Sequence, residues 1–406
     1  MKKVREGYKI TELGEIPEEW EVSKLGNLSE IVRGASPRPK GDPKYYGGSV
    51  PRLMISDVTR DGKYVTPKTD FLTEEGAKKS RPMKKGDLVI SVSGTVALPT
   101  FLAVDSCIHD GFMGFKYIDG KLLKDYLYYE ILNLREKLKN SATDGGVYIN
   151  LTTDIVKNFD VLVPPTNEQQ KIASILSSVD EQIEKTDNLI EKTKELKKGL
   201  MEQLLTRGIG HSRFKDTDIG RIPEEWGVKK LEEICEFWDG KRKPIKAEER
   251  SKMSGSIPYY GASGIIDWVN DFIFDDELIL LGEDGENIKS RNVPLAFKVI
   301  GKCWVNNHAH VLKVREDNNT DFITYVLEDK DYSSYVIGSA QPKLNQAQCR
   351  KFIIQIPPAE EQEKIALILS SVDEQIQQYE FKKEKLQELK KGLMQNLLTG
   401  KIRVKV

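Results

Sequence analysis

Long stretches of this chain occur twice. Residues 164–185, PPTNEQQKIASILSSVDEQIEK, return at 357–378 as PPAEEQEKIALILSSVDEQIQQ, and KELKKGLMEQLLT at 194–206 returns at 387–399 as QELKKGLMQNLLT, both at an offset of 193. A self-match of this length marks one structural unit used twice. A second pair, IPEEWEVSKL at 16–25 and IPEEWGVKKL at 222–231, is offset by 206, so the intervening blocks share a frame but differ in length by 13 residues. The chain therefore reads as a variable block (1–163), a helix (164–208), a second variable block (209–356), and a second helix with a tail (357–406).

The repeated text has the pattern of a long amphipathic helix. Apolar residues recur in alternating steps of four and three, as a heptad seam requires. The first helix carries Ile172, Leu176, Val179, Ile183, Ile190, Leu200 and Leu204, and the second carries Ile365, Leu369, Val372, Ile376, Leu386, Leu393 and Leu397. Lys197 interrupts the first seam, and Lys383 and Lys390 occupy two positions of the second. Neither helix buries such a stripe alone, and the shortest path for the chain pairs the two antiparallel. At about 1.5 Å per residue, 35–40 residues span roughly 50–60 Å, which suits a spacer between domains. Thr166 with Gln169 predicts a capping box at the first helix start, and Gly208 and Gly400 sit where left-handed C-terminal caps belong. Gly199 and Gly392, inside the helices, either permit close backbone approach, to the other helix or to a partner, or are tolerated at about 1 kcal/mol each. The repeat order also places the termini side by side, completing a pseudo-twofold circular arrangement.

At 39% hydrophobic and 31% charged, the composition is that of a soluble protein with room for two or three domains. No run approaches the roughly 18 apolar residues of a membrane span, and no leader follows the basic N-terminus, so a cytoplasmic location is expected. Cys107, Cys235, Cys303 and Cys349 show no paired spacing and read as reduced, packed thiols rather than a disulfide frame or zinc site. Formal net charge is −1, yet residues 31–85 hold thirteen Lys or Arg against six acids, a local +7. A basic surface of that size steers a polyanion, although surface lysines also simply solvate a domain.

Each variable block opens on an IPEEW turn, whose Trp20 and Trp226 read as core anchors, and closes on a strand entering a Pro-Pro helix start. Between them, short apolar strands mix with a helix near 126–138, which gives α+β domains. In the first block, Arg33, Ser36, Arg38, Lys40, Tyr45, Tyr46 and Arg52, followed by Ser91, Ser93 and Thr95, suit phosphate and base-edge contacts, because Arg forks onto guanine while small-residue turns approach phosphates. In the second block the candidates are Lys241, Arg242, Lys243, Tyr259, Tyr260, Ser263, Asn306, Asn307, His308, Gln341, Lys343 and Asn345, with Asn and Gln the natural adenine readers. For any single one of these, a surface turn with satisfied polar groups is the simpler account. His308 and His310 lack further ligands at usable spacing for a metal, which leaves a structural or DNA-facing role. Glu283 with Asp284 fits an Asp-Gly turn more simply than acid–base chemistry. No phosphate-binding loop, dinucleotide fingerprint, methyltransferase motif or nuclease set is found, so the chain reads as non-catalytic.

These residues resemble one family closely, the specificity subunits of type I restriction-modification systems. The resemblance spans essentially the whole chain: the two PP-x-x-EQ-x-x-I-A-x-I-L-S-S-V-D helix starts, the two L-K-K-G-L-M-x-x-L-L-T helix ends, the two IPEEW openings, and YYGASGIIDW at 259–268. It implies two target-recognition domains held apart by an antiparallel helix pair, reading two halves of a discontinuous site on double-stranded DNA. It further implies two modification subunits docked on the helices, methylating adenine with S-adenosylmethionine, and restriction subunits working with ATP and Mg, with no cofactor on this chain. A coiled-coil adaptor without DNA contact and a self-contained DNA-modifying enzyme are the alternatives from other classes.

Overall fold

The computed structural model describes residues 4–141, 143–145, 148–336 and 342–405. The chain divides into two compact units, Met1–Lys185 with Lys382–Val406, and Thr186–Phe381.

The first unit begins with a hairpin, β1 (Tyr8–Thr11) and β2 (Gly14–Pro17), followed by β3 (Glu21–Lys24). Nine short strands come next: β4 (Glu30–Arg33), β5 (Tyr46–Leu53), β6 (Tyr64–Val65), β7 (Asp70–Leu72), β8 (Arg81–Met83), β9 (Leu88–Ser91), β10 (Pro99–Leu102), β11 (Ser106–Ile108) and β12 (Phe112–Lys116). They form two sheets, ordered β4-β12-β9-β10-β6 and β7-β5-β11-β8. Helix α1 (Lys124–Asn133), the small pair β13 (Thr143–Gly145) and β14 (Tyr148–Asn150), and β15 (Asp160–Val163) precede the long helix α2 (Thr166–Arg207). Strand β9 shows why the central strands are continuously apolar: Leu88 and Ile90 enter the main core, while Val89 points into a second cluster with Leu53 and Ile108. A strand buried on both faces has no polar side to show. Each such side chain contributes about 1.5–3 kcal/mol relative to exposure.

The second unit repeats this plan. A hairpin, β16 (Phe214–Thr217) and β17 (Gly220–Pro223), leads to β18 (Gly227–Lys230), then β19 (Cys235–Phe237), β20 (Ser254–Gly261), β21 (Gly264–Val269), β22 (Phe274–Gly282), β23 (Ala296–Val305) and β24 (Ala309–Val314). These last six form one sheet, ordered β19-β24-β22-β23-β20-β21. Helix α3 (Thr320–Asp329), β25 (Ile353–Ile356) and the long helix α4 (Ala359–Leu397) complete the unit's plan. The order β19-β24-β22 matches β4-β12-β9, and β22 is likewise shared between two cores.

Trp20 and Trp226 are fully buried, as their repeated setting predicts. Each indole donates to the glutamate at a helix start, Trp20 to Glu168 at 3.4 Å and Trp226 to Glu361 at 2.9 Å. The helix pair runs antiparallel within each unit. In the first, Ile172 and Leu176 share a core with Leu393 and Leu397; in the second, Leu204 packs with Ile365 and Leu369. Of the predicted seam, Ile172, Leu176, Val179, Ile190, Leu204, Ile365, Leu369, Val372, Ile376 and Leu397 are buried, and Ile183, Leu200, Leu386 and Leu393 are half-buried. The chain ends meet in the first unit, where the Tyr8 hydroxyl donates to the Gly400 carbonyl at 2.9 Å and Arg403 pairs with Glu19 at 2.7 Å.

Two local expectations change. Gln169 does not cap its own helix: its side chain accepts from the Leu123 amide at 2.8 Å and donates to the carbonyls of Lys121 and Pro164, tying α2 to the start of α1. Gly199 and Gly392 have open space where a Cβ would sit, so neither brings the two helices closer together. Gly208 and Gly400 do take left-handed conformations, and a Cβ there would strike Trp226 and Glu361, or Pro17. All four cysteines are buried free thiols.

Candidate nucleic-acid interface

In the second unit the predicted loop residues, far apart in sequence, converge. The Asn306 amide donates to Tyr260 O at 3.0 Å, the Glu283 amide to His308 O at 2.9 Å, and the Leu344 amide to Glu283 O at 2.8 Å. Trp304 Nε1 donates to Lys243 O at 2.6 Å. Backbone bonds of this kind fix loops in one conformation and leave their outward side chains free to act.

Below the loops lies a buried ionic cluster. His310 is fully buried, with Nδ1 2.7 Å from Asp239 and Nε2 2.9 Å from Leu344 O. Both ring nitrogens face acceptors, so both carry protons and the ring is a cation. Burial opposes that charge, but the Asp239 carboxylate outweighs it and the imidazole is pushed up to about 10. Burial also works against ionising Asp239 and Glu283; His310 at the first and Arg242 at the second prevail and hold both carboxyls below their ordinary range. Arg242 reaches Glu283 at 2.7 Å and Ala309 O at 2.8 Å, and Lys343 reaches Glu283 at 3.2 Å. Asp239, Glu283 and His310 lie within 4.8 Å of one another, a grouping with metal-ligand character that sequence spacing did not reveal. The two carboxylates are already engaged by a guanidinium, an ammonium and the His310 imidazolium itself, so the cluster is an ion-pair network that holds the loops together.

The first unit builds the equivalent tip with the same backbone bonds and different side chains. Val92 N donates to Gly111 O at 2.8 Å and Leu151 N to Val92 O at 2.9 Å, matching Glu283 to His308 and Leu344 to Glu283. Strand register places Arg33 opposite Met113, where the second unit has Asp239 bonded to His310. Arg33 donates to Asp110 O at 3.1 Å, and Ser36 bonds the Asp110 carboxylate. A cleft of about 260 Å³ opens here, with Ser36, Arg38, Lys40, Tyr46, Arg52 and His109 among its walls. His109 is held below its ordinary value by burial and by the nearby Arg52 guanidinium, so it is neutral; Nδ1 accepts from the Gly111 amide at 2.9 Å, which leaves Nε2–H as a donor.

Several predicted DNA contacts are instead engaged inside the fold. Ser91 is fully buried and bonds Thr95 O and the Leu98 amide. Tyr259 is buried, its hydroxyl accepting from the Ile245 amide at 3.0 Å, and Tyr45 is buried with its hydroxyl on Lys79 at 2.9 Å. Asn306 accepts from the His308 amide at 2.8 Å, and Asn345 caps a helical turn by accepting from Gln348 N at 3.0 Å. Arg52 is buried against Asp70, and its guanidinium stacks 5.0 Å from the Tyr46 ring. Arg242 belongs to the ionic cluster. Exposed at the tips are Arg38, Lys40, Lys241, Lys243, Ser263, Asn307, His308 and Lys343, with Arg33, Ser36, Tyr46, Ser93, Thr95 and Tyr260 half-exposed. Gln341 lies outside the described residues. His109 and Asp110 were missed; the signal for them is register, since the pairing of Arg52 with Cys107 matches that of Tyr259 with Trp304 and sets His109 in the place of Asn306.

A profile described as "Type I restriction modification DNA specificity domain" matches residues 17–195 and again 223–391. The chain belongs to this family. The type I restriction enzyme MjaVIII specificity subunit of Methanocaldococcus jannaschii is 29% identical over 414 residues, covering 96% of this chain and 94% of that one. The MjaIX specificity subunit of the same organism is 24% identical over 430 residues, covering 98% and 96%. Among solved structures, the type I restriction-modification S subunit from M. genitalium superposes with a TM-score of 0.62 at 16% identity, over 93% of this chain and 96% of that one. A chain from a study of complex assembly and conformational transition of the type I R-M system gives 0.57 at 17%, over 95% and 99%. Two family repeats, mixed helix and sheet in each unit, and a 42-residue α2 are the architecture that the sequence predicts. Among the described residues, no helix is long and apolar enough to cross a membrane.

Proposed function

We propose that this chain is the non-catalytic specificity subunit of a type I restriction-modification complex, reading a two-part asymmetric DNA target. One observation carries the reading. Both units build the same loop tip on the same backbone hydrogen bonds, yet one presents Arg33, Ser36, Arg38 and Lys40 around neutral His109, and the other presents Lys241, Asn307, His308 and Lys343 over a buried ion-pair network. Equal frames with unlike side chains suit unlike half-sites.

The modification subunits are assigned to the helices, where Leu189, Leu196, Leu367, Phe381 and Leu389 stay exposed and the surroundings of Gly199 and Gly392 are open. Exposed leucines repeated on a long helix suit a docked protein. S-adenosylmethionine, ATP and Mg are assigned to the modification and restriction subunits. The test is to map methylated adenines in DNA treated with the complex reconstituted from this chain and its modification subunits. A discontinuous site with different halves is expected; a palindromic or contiguous site would contradict the reading. Salt separates it from an adaptor without DNA contact, since each neutralised phosphate adds about −0.9 to the log–log slope of binding against salt.

A further inference from the structure

Two of the lysines at seam positions, Lys390 and Lys197, pair with aspartates of the opposite helix. In the first unit, Lys390 of α4 reaches Asp180 Oδ1 of α2 at 2.6 Å, and the Tyr129 hydroxyl of α1 donates to Asp180 Oδ2 at 2.6 Å. In the second, Lys197 of α2 reaches Asp373 Oδ1 of α4 at 2.7 Å, and the Tyr325 hydroxyl of α3 donates to Asp373 Oδ2 at 2.7 Å. Each ammonium also lies near its tyrosine ring, 5.8 Å and 5.3 Å from the centroids. The same three side chains are thus built twice, with the long helices exchanging roles: α2 supplies the aspartate in one unit and the lysine in the other. Each bridge joins three elements, namely both long helices and the helix of a variable block.

Both bridges obey one antiparallel register, in which facing residue numbers add to 570. Sliding the helices by one heptad in one direction sets Asp180 opposite Leu397 and Asp373 opposite Leu204. Sliding the other way sets Lys390 opposite Ala173 and Lys197 opposite Ala366. All four of those neighbours are buried, so either slip faces a charge against apolar packing, which is how a polar seam residue specifies register.

We infer that Tyr129–Asp180–Lys390 and Tyr325–Asp373–Lys197 are positioning groups that lock each reading unit's own helix to one register of the helix pair, and that this lock sets how sharply the protein discriminates spacer length. The inference rests on the bipartite reading proposed above.

The experiment uses the full chain assembled with its modification subunits. Methylation is measured on DNA carrying the mapped half-sites at the natural spacer and at spacers one and two base pairs longer and shorter. It is also measured on DNA with single base changes in each half. The double variants Tyr129→Phe with Tyr325→Phe, and Asp180→Asn with Asp373→Asn, are expected to keep the base preferences of both halves. They should lose at least about tenfold of the preference for the natural spacer, since each removes two hydrogen bonds to a charged group and one alone carries about that factor. Lys197→Arg with Lys390→Arg, which preserves the charge, is expected to stay near the parent. If the phenylalanine or asparagine variants keep the parent's spacer preference, or lose spacer and base preference in proportion, the lock is overturned. If the parent complex itself has no two-part target, the proposed function falls and the lock with it.

Discussion

His310 is the residue whose charge state matters most to the second unit. Its folded value of about 10 lies above the ordinary unfolded imidazole value near 6.5. The stability it contributes is therefore fully present below about pH 6.5 and is lost as pH rises through about 10. Thermal melts of the chain should show a falling transition over that window, and His310→Gln should flatten the fall while lowering stability at pH 6. A slope identical in the variant would show that the ring does not hold its proton as argued. Glu130 gives the converse case in the first unit. It is buried, Oε1 accepts weakly from Leu162 N at 3.4 Å, Oε2 has no partner among the described residues, and burial pushes its carboxyl up to about 8. Keeping that proton costs stability as pH rises from about 4.5 to 8. Glu130→Gln should therefore be neutral near pH 4 and stabilising at pH 8, on the order of 1–3 kcal/mol. Equal effects at both pH values would contradict it.

Among the elements, the junction between each long helix and its block depends on one glutamine. Gln362 repeats Gln169: its side chain accepts from Asn319 N at 2.9 Å, at the start of α3, and donates to Pro357 O at 2.9 Å. Replacing either by Ala strands a partly buried amide N–H and at least one carbonyl, at a cost of about 1–3 kcal/mol by denaturant melts. Replacement by Glu should recover little, because a carboxylate cannot donate to the carbonyls; full recovery would mean that the donor side is idle. These glutamines show what the sequence could and could not tell. The repeat made them conspicuous and placed them in a helix start, but a capping box and a tie to another helix share one signature. Seam periodicity located both long helices and their buried faces, because apolar spacing is a direct consequence of burial, and the short chain path gave their antiparallel pairing. Lys197 and Lys390 read only as interruptions of the seam, because the aspartate that pairs with each lies on the opposite helix. The loop residues were the least legible. Tyr259, Ser91 and Asn345 have the composition of DNA contacts, and only the fold shows them turned inward or capping, while His109 is visible as a site residue only once two strand registers are compared.

For the whole molecule, the remaining question is whether helix length itself measures DNA. Leu189 of α2 and Phe381 of α4 belong to the second unit, face each other in the register that both bridges share, and are exposed. An insertion at those two points spares the buried seam, although it spreads the exposed side chains assigned above to the modification subunits, so assembly is checked before spacing is read. Seven residues added to each helix preserve the heptad phase, keep every charged seam pair in place and lengthen the pair by about 10 Å. At about 3.4 Å per base pair along one strand, that corresponds to roughly three base pairs of additional spacer. A four-residue insertion adds less length and advances the seam by an extra part of a turn, so it should perturb assembly as well as spacing. The seven-residue variant, assembled with its modification subunits, is therefore expected to methylate the same two half-sequences at a spacer about three base pairs longer, with the parental spacer disfavoured. Retention of the parental spacer by a folded, active variant would mean that the distance is set by the DNA or by the partner subunits and not by this chain.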